Sequence, residues 1–297
     1  MATAEISSFN TAITPQISFN NNSSSSEQKT AIQDLMHQSL FKKDIDETSP
    51  HDRATKLPYF TRLHNSTLPI HSFLLNLVNN ASIYKKIETF IKVDDAFKKI
   101  LHPDLHRYYP LLRDINFLTS NLDIVRPEET PEALNTLKFI EEIGSKNPRL
   151  LVAVIYVLYS GLFIGRLEYQ SSTLLLKKTI SNWETFPEDN RGVSFWSFRE
   201  VAAQNNAIEI KKEFLKELNE YGNQLTTEEC DQLPIIAKQT FDHILKSIES
   251  TASKEPIKAK KIVFFEESNL SRTQQKAIRI FVLVVLVGII IQALNQR

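Results

Sequence analysis

Cysteine occurs once in 297 residues, at Cys230. A single thiol cannot close an internal disulfide or furnish a Cys-based zinc site or an iron–sulfur cluster, and its solitude fits a reducing compartment. Glycine is scarce, with six residues in all, and none of them builds a Gly-rich phosphate loop. No Gly-x-Ser-x-Gly elbow marks a serine nucleophile. Charge of one sign is not in surplus either, since 35 Lys and Arg balance 35 Asp and Glu. Without a basic excess there is no electrostatic footprint for nucleic acid, and none is expected as a partner. The carboxylates are scattered, and no pair reads as a glycosidase or metal site. Segments that alternate with period two are few, so no substantial sheet is expected.

Apolar residues make up 42% of the chain, enough for a sizeable core. They recur at three- and four-residue spacing in long runs free of Gly and Pro, which predicts helices. Residues 1–30 are the exception. They are rich in Ser, Asn and Thr, with Asn20-Asn21-Asn22-Ser23-Ser24-Ser25-Ser26 at the centre, and read as a disordered segment. No apolar run follows a basic start there, so no secretory leader is expected.

The far end is the opposite. Residues 277–294 are apolar apart from Arg279 and Gln292, and eighteen residues of helix span roughly 27 Å, close to the hydrocarbon thickness of a bilayer. Arg279, with Lys276 and Arg272 before it, can reach the interface. The segment has no polar face, which separates it from a buried terminal helix. It is expected to be a transmembrane tail anchor, leaving the folded part in the cytosol. Short basic-flanked tails serve the endoplasmic reticulum membrane and the mitochondrial outer membrane alike, and the former is the expected address.

Between the two ends lies the domain, residues 31–250, joined to the anchor by a polar linker, 251–276. An amphipathic helix is predicted over 31–47, with Ile32, Leu35, Met36, Leu40 and Phe41 on one side; Pro50 interrupts it or starts the next. A second apolar pattern covers 51–63. Pro69 opens a third, carrying Phe73, Leu74, Leu77, Ala81, Tyr84, Ile87 and Ile91. Another covers about 104–118, and 121–131 is a connection with two prolines. A short helix over 133–143 ends at Gly144. Asn147 can cap, and Pro148 can open, a helix from 148 to about 180 that is apolar almost all round between Leu150 and Leu167. Gly192 precedes the run Phe195-Trp196-Ser197-Phe198, after which a helix reaches Tyr221. Thr226 and Glu229 form a capping box for a last helix over 227–250.

Two features invite chemistry. Gly161 and Gly165 stand four apart in the most apolar helix, although each glycine there costs roughly 1 kcal/mol relative to alanine. The spacing leaves a smooth strip on one face, against which another helix or a flat ligand can lie. The seven histidines are His37, His51, His64, His71, His102, His106 and His243. Most read as surface or helix-end residues, but a lone histidine on an apolar helix can supply one axial ligand to haem iron.

Taken together, residues 31–250 resemble the haem oxygenases, in particular their fungal, tail-anchored branch. Four blocks carry the resemblance. The first is His51-Asp52-Arg53-Ala54 with Tyr59-Phe60, continuing without gaps to Phe73, Tyr84 and Glu88. The second is Asp104-Leu105-His106-Arg107 with Asp114-Ile115. The third places Tyr156, Tyr159, Gly161 and Gly165 on the distal helix. The fourth is the aromatic run after Gly192.

The resemblance implies an all-α, haem oxygenase-like helical bundle with haem, both substrate and cofactor, between the His51 helix and the Gly161–Gly165 helix. His51 would ligate iron, with His37 as the fallback. Tyr156 and a lysine from Lys211, Lys212 or Lys216, Lys212 foremost, would hold the propionates. It implies cleavage of haem to biliverdin, ferrous iron and carbon monoxide with dioxygen and electrons from NADPH through a cytochrome P450 reductase. The sequence departs from the family's Gly-Asp-x-x-Gly-Gly segment: Leu162 stands where most members have Asp, as an apolar residue does in fungal members, and Arg166 stands for the last Gly. Those departures define the alternative, a catalytically impaired haem-binding or membrane-tethered interaction protein of the same fold.

Overall fold

A computed structural model describes residues 31–42, 48–93, 95–164, 166–181, 183, 191–196 and 204–252. The segment 1–30, nearly all of 251–276, the expected anchor 277–294 and Gly165 lie outside the described residues. Eleven helices and two 3-10 turns account for the described regular structure, and no strand occurs among these residues. The helices are α1 (Ile32–Phe41), α2 (Pro50–Thr55), α3 (Pro58–His64), α4 (Ile70–Val93), α5 (Asp95–Ile100), α6 (Tyr108–Leu122), α7 (Pro131–Lys146), α8 (Leu151–Ile164), α9 (Arg166–Thr179), α10 (Gln204–Gly222) and α11 (Thr227–Ala252).

Two helices form the centre. α4 packs on α6, α7 and α11, and α8 packs on α11, α10, α7 and α1. The reason is compositional. Leu74, Val78, Ile87, Val152, Ala153 and Val154 are all fully buried; α4 is buried along residues 71–79, and α8 has almost no polar face to turn to water, which places it in the middle of the bundle. α1 lies across α11, α10 and α8, so the first described helix closes the bundle over the central one. Cys230 is buried as a free thiol.

Several helix ends follow their sequence signals. The Thr226 hydroxyl accepts from Glu229 N at 3.2 Å and the Glu229 carboxylate accepts from Thr226 N at 2.8 Å, completing the expected capping box of α11. Asn147 accepts from Arg149 N at 3.1 Å. Pro148 does open a helical turn, but a 3-10 turn, Pro148–Leu150, ahead of α8.

Other boundaries differ from the sequence reading, each for a local reason. The apolar pattern over 51–63 is two helices, because Pro58 takes the first position of a new one after α2 has ended at Lys56. The predicted helix from 148 to 180 is two, α8 and α9, with a 62° bend between Pro148–Phe163 and Glu168–Thr179. Gly144 does not end α7, which continues to Lys146. A Cβ at Gly144 would stand 2.6 Å from Phe90 Cζ, so glycine is required there for α7 to lie close against the Phe90 ring of α4.

No single described helix is long and apolar enough to cross a membrane, and only the bent pair α8–α9 passes such a test by length and composition. Residues 151–159 of that pair are buried throughout, which is the pattern of a core helix.

Candidate functional site

Most of the histidines are occupied elsewhere. His243 stacks on Phe139 at 4.5 Å. His64 faces Glu168 at 3.9 Å, and His71 is buried near the start of α4. His102 and His106 have the His-x-x-x-His spacing that zinc sites use on a helix. Here the 3-10 turn Pro103–Leu105 separates them, and no group of three or more His, Cys, Asp or Glu side chains that could hold a metal forms among the described residues.

The remaining two histidines are drawn into one contact chain. On α1, His37 and Phe41 are one turn apart and stack, with ring centroids 4.2 Å apart and planes at 26°. The far face of this contact continues to α2, where the His51 ring lies 4.5 Å from Phe41, again at 26°. On the other side, His37 Nδ1 lies 3.4 Å from the Tyr156 hydroxyl of α8. The chain His51–Phe41–His37–Tyr156 thus links α2 to the central helix across α1.

The electrostatics follow from this packing. The His37 residue is exposed overall, yet the Phe41 ring covers one face and Tyr156 approaches one edge. Burial holds its pKa below the ordinary histidine value, Asp34 opposes that, and the charges of His51 and Lys211 add to the lowering. The imidazole is therefore neutral at pH 7. Tyr156 is pushed up to about 12, first by burial and then by Asp34, against a hydrogen bond with Ser160. It remains a protonated phenol, a donor at neutral pH. Lys211 of α10 is the lysine whose charge reaches His37. Lys212 pairs with Glu209 at 3.5 Å, and Lys216 lies between Glu217 and Glu220.

His51 has a rigid seat. Ser49 and Asp52 form a capping box at the start of α2, with Pro50 at its first position, and Arg53 donates to Asp242 of α11 at 3.0 Å. Pro50 before His51 is thus a helix-starting device. The His51 nitrogens make no hydrogen bond among the described residues, whereas Nδ1 of His37 is already engaged by Tyr156.

Five residues after Tyr156, Gly161 is exposed on α8, and a Cβ built on it would meet nothing within 4 Å among the described residues. Of the two meanings of the glycine strip, helix contact or an open face, the structure gives Gly161 the second. The next side chain, Leu162, turns inward and is 6% exposed.

Tyr84, Glu88, Arg107 and Asp114, which carry part of the family resemblance, are all buried and brace the elements around α8. Tyr84 donates to the Leu158 carbonyl at 2.9 Å. Glu88 accepts from Arg107 N at 2.6 Å and Tyr108 N at 3.0 Å, starting α6, and from the Tyr159 hydroxyl at 3.4 Å. Asp114 accepts from the N–H groups of Gly192, Ser194 and Phe195 at 2.8–3.0 Å. That carboxylate pins the turn at Gly192, whose φ of +87° suits glycine. Burial raises the Asp114 pKa to about 6 despite those donors.

The contact of His37 with Tyr156 and the stacking of Phe41 were not legible in the sequence. Phe41 read as part of the apolar face of α1, yet it is 40% exposed. Its only sequence signal is its position four residues after His37.

Comparison with known proteins adds a family to this geometry. Heme oxygenase 1 of Gallus gallus is 26% identical over 211 residues, which are 67% of this chain and 67% of the relative. The Heme oxygenase of Porphyra purpurea is 28% identical over 159 residues, 52% of this chain and 63% of the relative. Among solved structures, heme oxygenase-2 from Synechocystis sp. PCC 6803, in complex with heme and NO, superposes with a TM-score of 0.62 at 17% identity, covering 75% of this chain and 85% of that one. Heme oxygenase from Leptospira interrogans superposes at 0.58 and 18% identity, covering 74% and 99%. The helical arrangement is therefore the haem oxygenase fold. The family model described as Heme oxygenase matches residues 42–249, and with that extent of match the chain belongs to the haem oxygenase family.

Proposed function

We propose that this protein is a haem oxygenase that cleaves haem to biliverdin, ferrous iron and carbon monoxide, taking electrons from NADPH through a cytochrome P450 reductase. The observation that carries the reading is Gly161, a glycine kept in an apolar central helix at a cost in helix stability, with open space where a side chain would go. That is what a flat macrocycle lying against the helix backbone requires. The other residues fit the same ligand. His51 offers a ring nitrogen with no competing hydrogen bond among the described residues. Tyr156, with His37 beside it and the charge of Lys211 reaching His37, can donate to the propionate carboxylates, and Lys211 or its neighbour Lys212 on α10 can join it.

Bound haem supplies the iron at which dioxygen is reduced and the porphyrin carbon that is oxidised. The chain's own residues do the rest. His51 would supply a ring nitrogen to the metal. The open backbone at Gly161 would admit the macrocycle. Tyr156 keeps its proton and would donate it in a hydrogen bond to a propionate carboxylate.

A second reading has its own observation. The Leu162 side chain is packed into the core and brings no carboxylate to the cleft, at the position where the resemblance puts the family's usual Asp. This favours a protein that binds haem with impaired cleavage, or a membrane-tethered interaction protein. The full chain in detergent, titrated with haemin and then given reductase and NADPH, separates the cases. A Soret band that decays to biliverdin supports the enzyme, a stable band the binder, and no band the interaction protein.

Residues 277–294 complete the proposal as a tail anchor in the endoplasmic reticulum membrane, with the domain facing the cytosol and a membrane-bound reductase as its electron-donating neighbour. Their length and unbroken apolarity support it.

A further inference from the structure

Resting on the reading of His51 as the iron ligand, we propose that Phe41 is a positioning residue that sets the plane of the His51 imidazole. A ligating histidine is commonly oriented by a hydrogen bond from its second ring nitrogen to a carboxylate or carbonyl. Among the described residues His51 makes no such bond. Thr55, one turn on and the nearest candidate on the same helix face, gives its hydroxyl to the Asp52 carbonyl at 2.9 Å. What touches the ring instead is Phe41, at 4.5 Å and 26°.

Both partners of that stack are fixed from behind. The His51 backbone is held by the Ser49–Asp52 capping box and the Arg53–Asp242 pair. Phe41 is backed by His37 at 4.2 Å and 26°, and His37 is met by Tyr156. Three near-parallel rings from two helices leave His51 one plane in which it keeps its contact. The exposure of Phe41, 40%, shows that core burial does not explain an aromatic at this position; a leucine would cover as much of the bundle. With no hydrogen bond to orient it, the imidazole is held by face-to-face contact, which a flat ring supplies over its whole surface and a branched aliphatic side chain does not.

The two helices also come from different parts of the chain, since α1 ends at Phe41 and α2 begins at Pro50. The stack therefore restores, by side-chain contact, the continuity that a single uninterrupted helix through the histidine would give.

The test uses the full chain with haem bound. Phe41→Leu is expected to shift and broaden the iron–histidine stretching band of the ferrous complex in resonance Raman spectra, and to speed haem loss to apomyoglobin roughly tenfold, the low end of the effect of losing a residue that orients a metal ligand. Phe41→Tyr, which keeps the ring, is expected to match the wild type in both. Melting of the haem-free proteins checks that all are folded, as the exposure of Phe41 leads one to expect. A Phe41→Leu protein with the wild-type band and haem-loss rate overturns the proposal. His51→Ala is measured beside it. Loss of the band in that variant upholds His51 as the ligand whatever Phe41 does, whereas a band that survives removes that reading and this inference with it.

Discussion

Gly161→Ala tests the central claim about the cleft, because the two roles a helical glycine can play predict opposite results. In the haem-free protein the added methyl group meets nothing within 4 Å among the described residues. The substitution then acts only on backbone freedom and helix propensity, which favour alanine by up to about 1 kcal/mol. For a domain of this size that gain raises the melting temperature by roughly 2–4 °C. With haem bound, the same methyl group lies where the macrocycle approaches. Forcing it in costs roughly 1–3 kcal/mol, by analogy with overpacked cores. Since about 1.4 kcal/mol is tenfold in affinity, haem should bind roughly 5- to 150-fold more weakly. Circular dichroism melting of the haem-free full chain and Soret titration with haemin give the two numbers. A lower melting temperature would mean that something packs on Gly161. Unchanged haem affinity would mean that the open space is not the haem site. Either result refutes the reasoning.

Three more outcomes are expected. His51→Ala should weaken haem binding and move the Soret maximum, while His64→Ala and His71→Ala leave both alone. Loss of the spectrum in His37→Ala, with none in His51→Ala, would transfer the ligand to α1. Asp114 has a folded-state pKa of about 6 against a model-peptide value of 3.8, so the folded state binds this proton more tightly. The resulting stability is fully present below about pH 4 and is lost as pH rises through about 6. The stability difference between wild type and Asp114→Asn, from urea unfolding, should therefore fall in the wild type's disfavour by about 3 kcal/mol between those limits. A difference that is flat or grows with pH would show the carboxylate ionised throughout. Finally, appending residues 277–297 to a soluble reporter should carry it into the membrane fraction against salt and carbonate, and recovery in the supernatant would show that the segment is not an anchor.

The sequence by itself determined which segments are helical, because helical periodicity and end signals are local. The Thr226–Glu229 box sits where expected, and α8 is central because a stretch without a polar face has no other place to go. It also singled out His51, Tyr156 and Gly161 as the residues to examine. Helix boundaries were less legible where a proline or glycine has two meanings. Pro58 starts α3 inside one apolar pattern, and Gly144 seats the Phe90 ring inside α7 where a helix end was expected.

Only the tertiary structure decided what faces what. Gly161 has open space and Gly144 does not, although both are glycines within helices. Lys211, not Lys212, is the lysine whose charge reaches His37. Glu88 and Asp114 were legible only as family positions, and it is the packing that turns their carboxylates onto backbone N–H groups. The stack of His37, Phe41 and His51 joins α1 to α2, whose mutual placement depends on what each packs against. Periodicity marks the faces a helix presents, but the partner across each face is set by long-range packing, which no local pattern encodes.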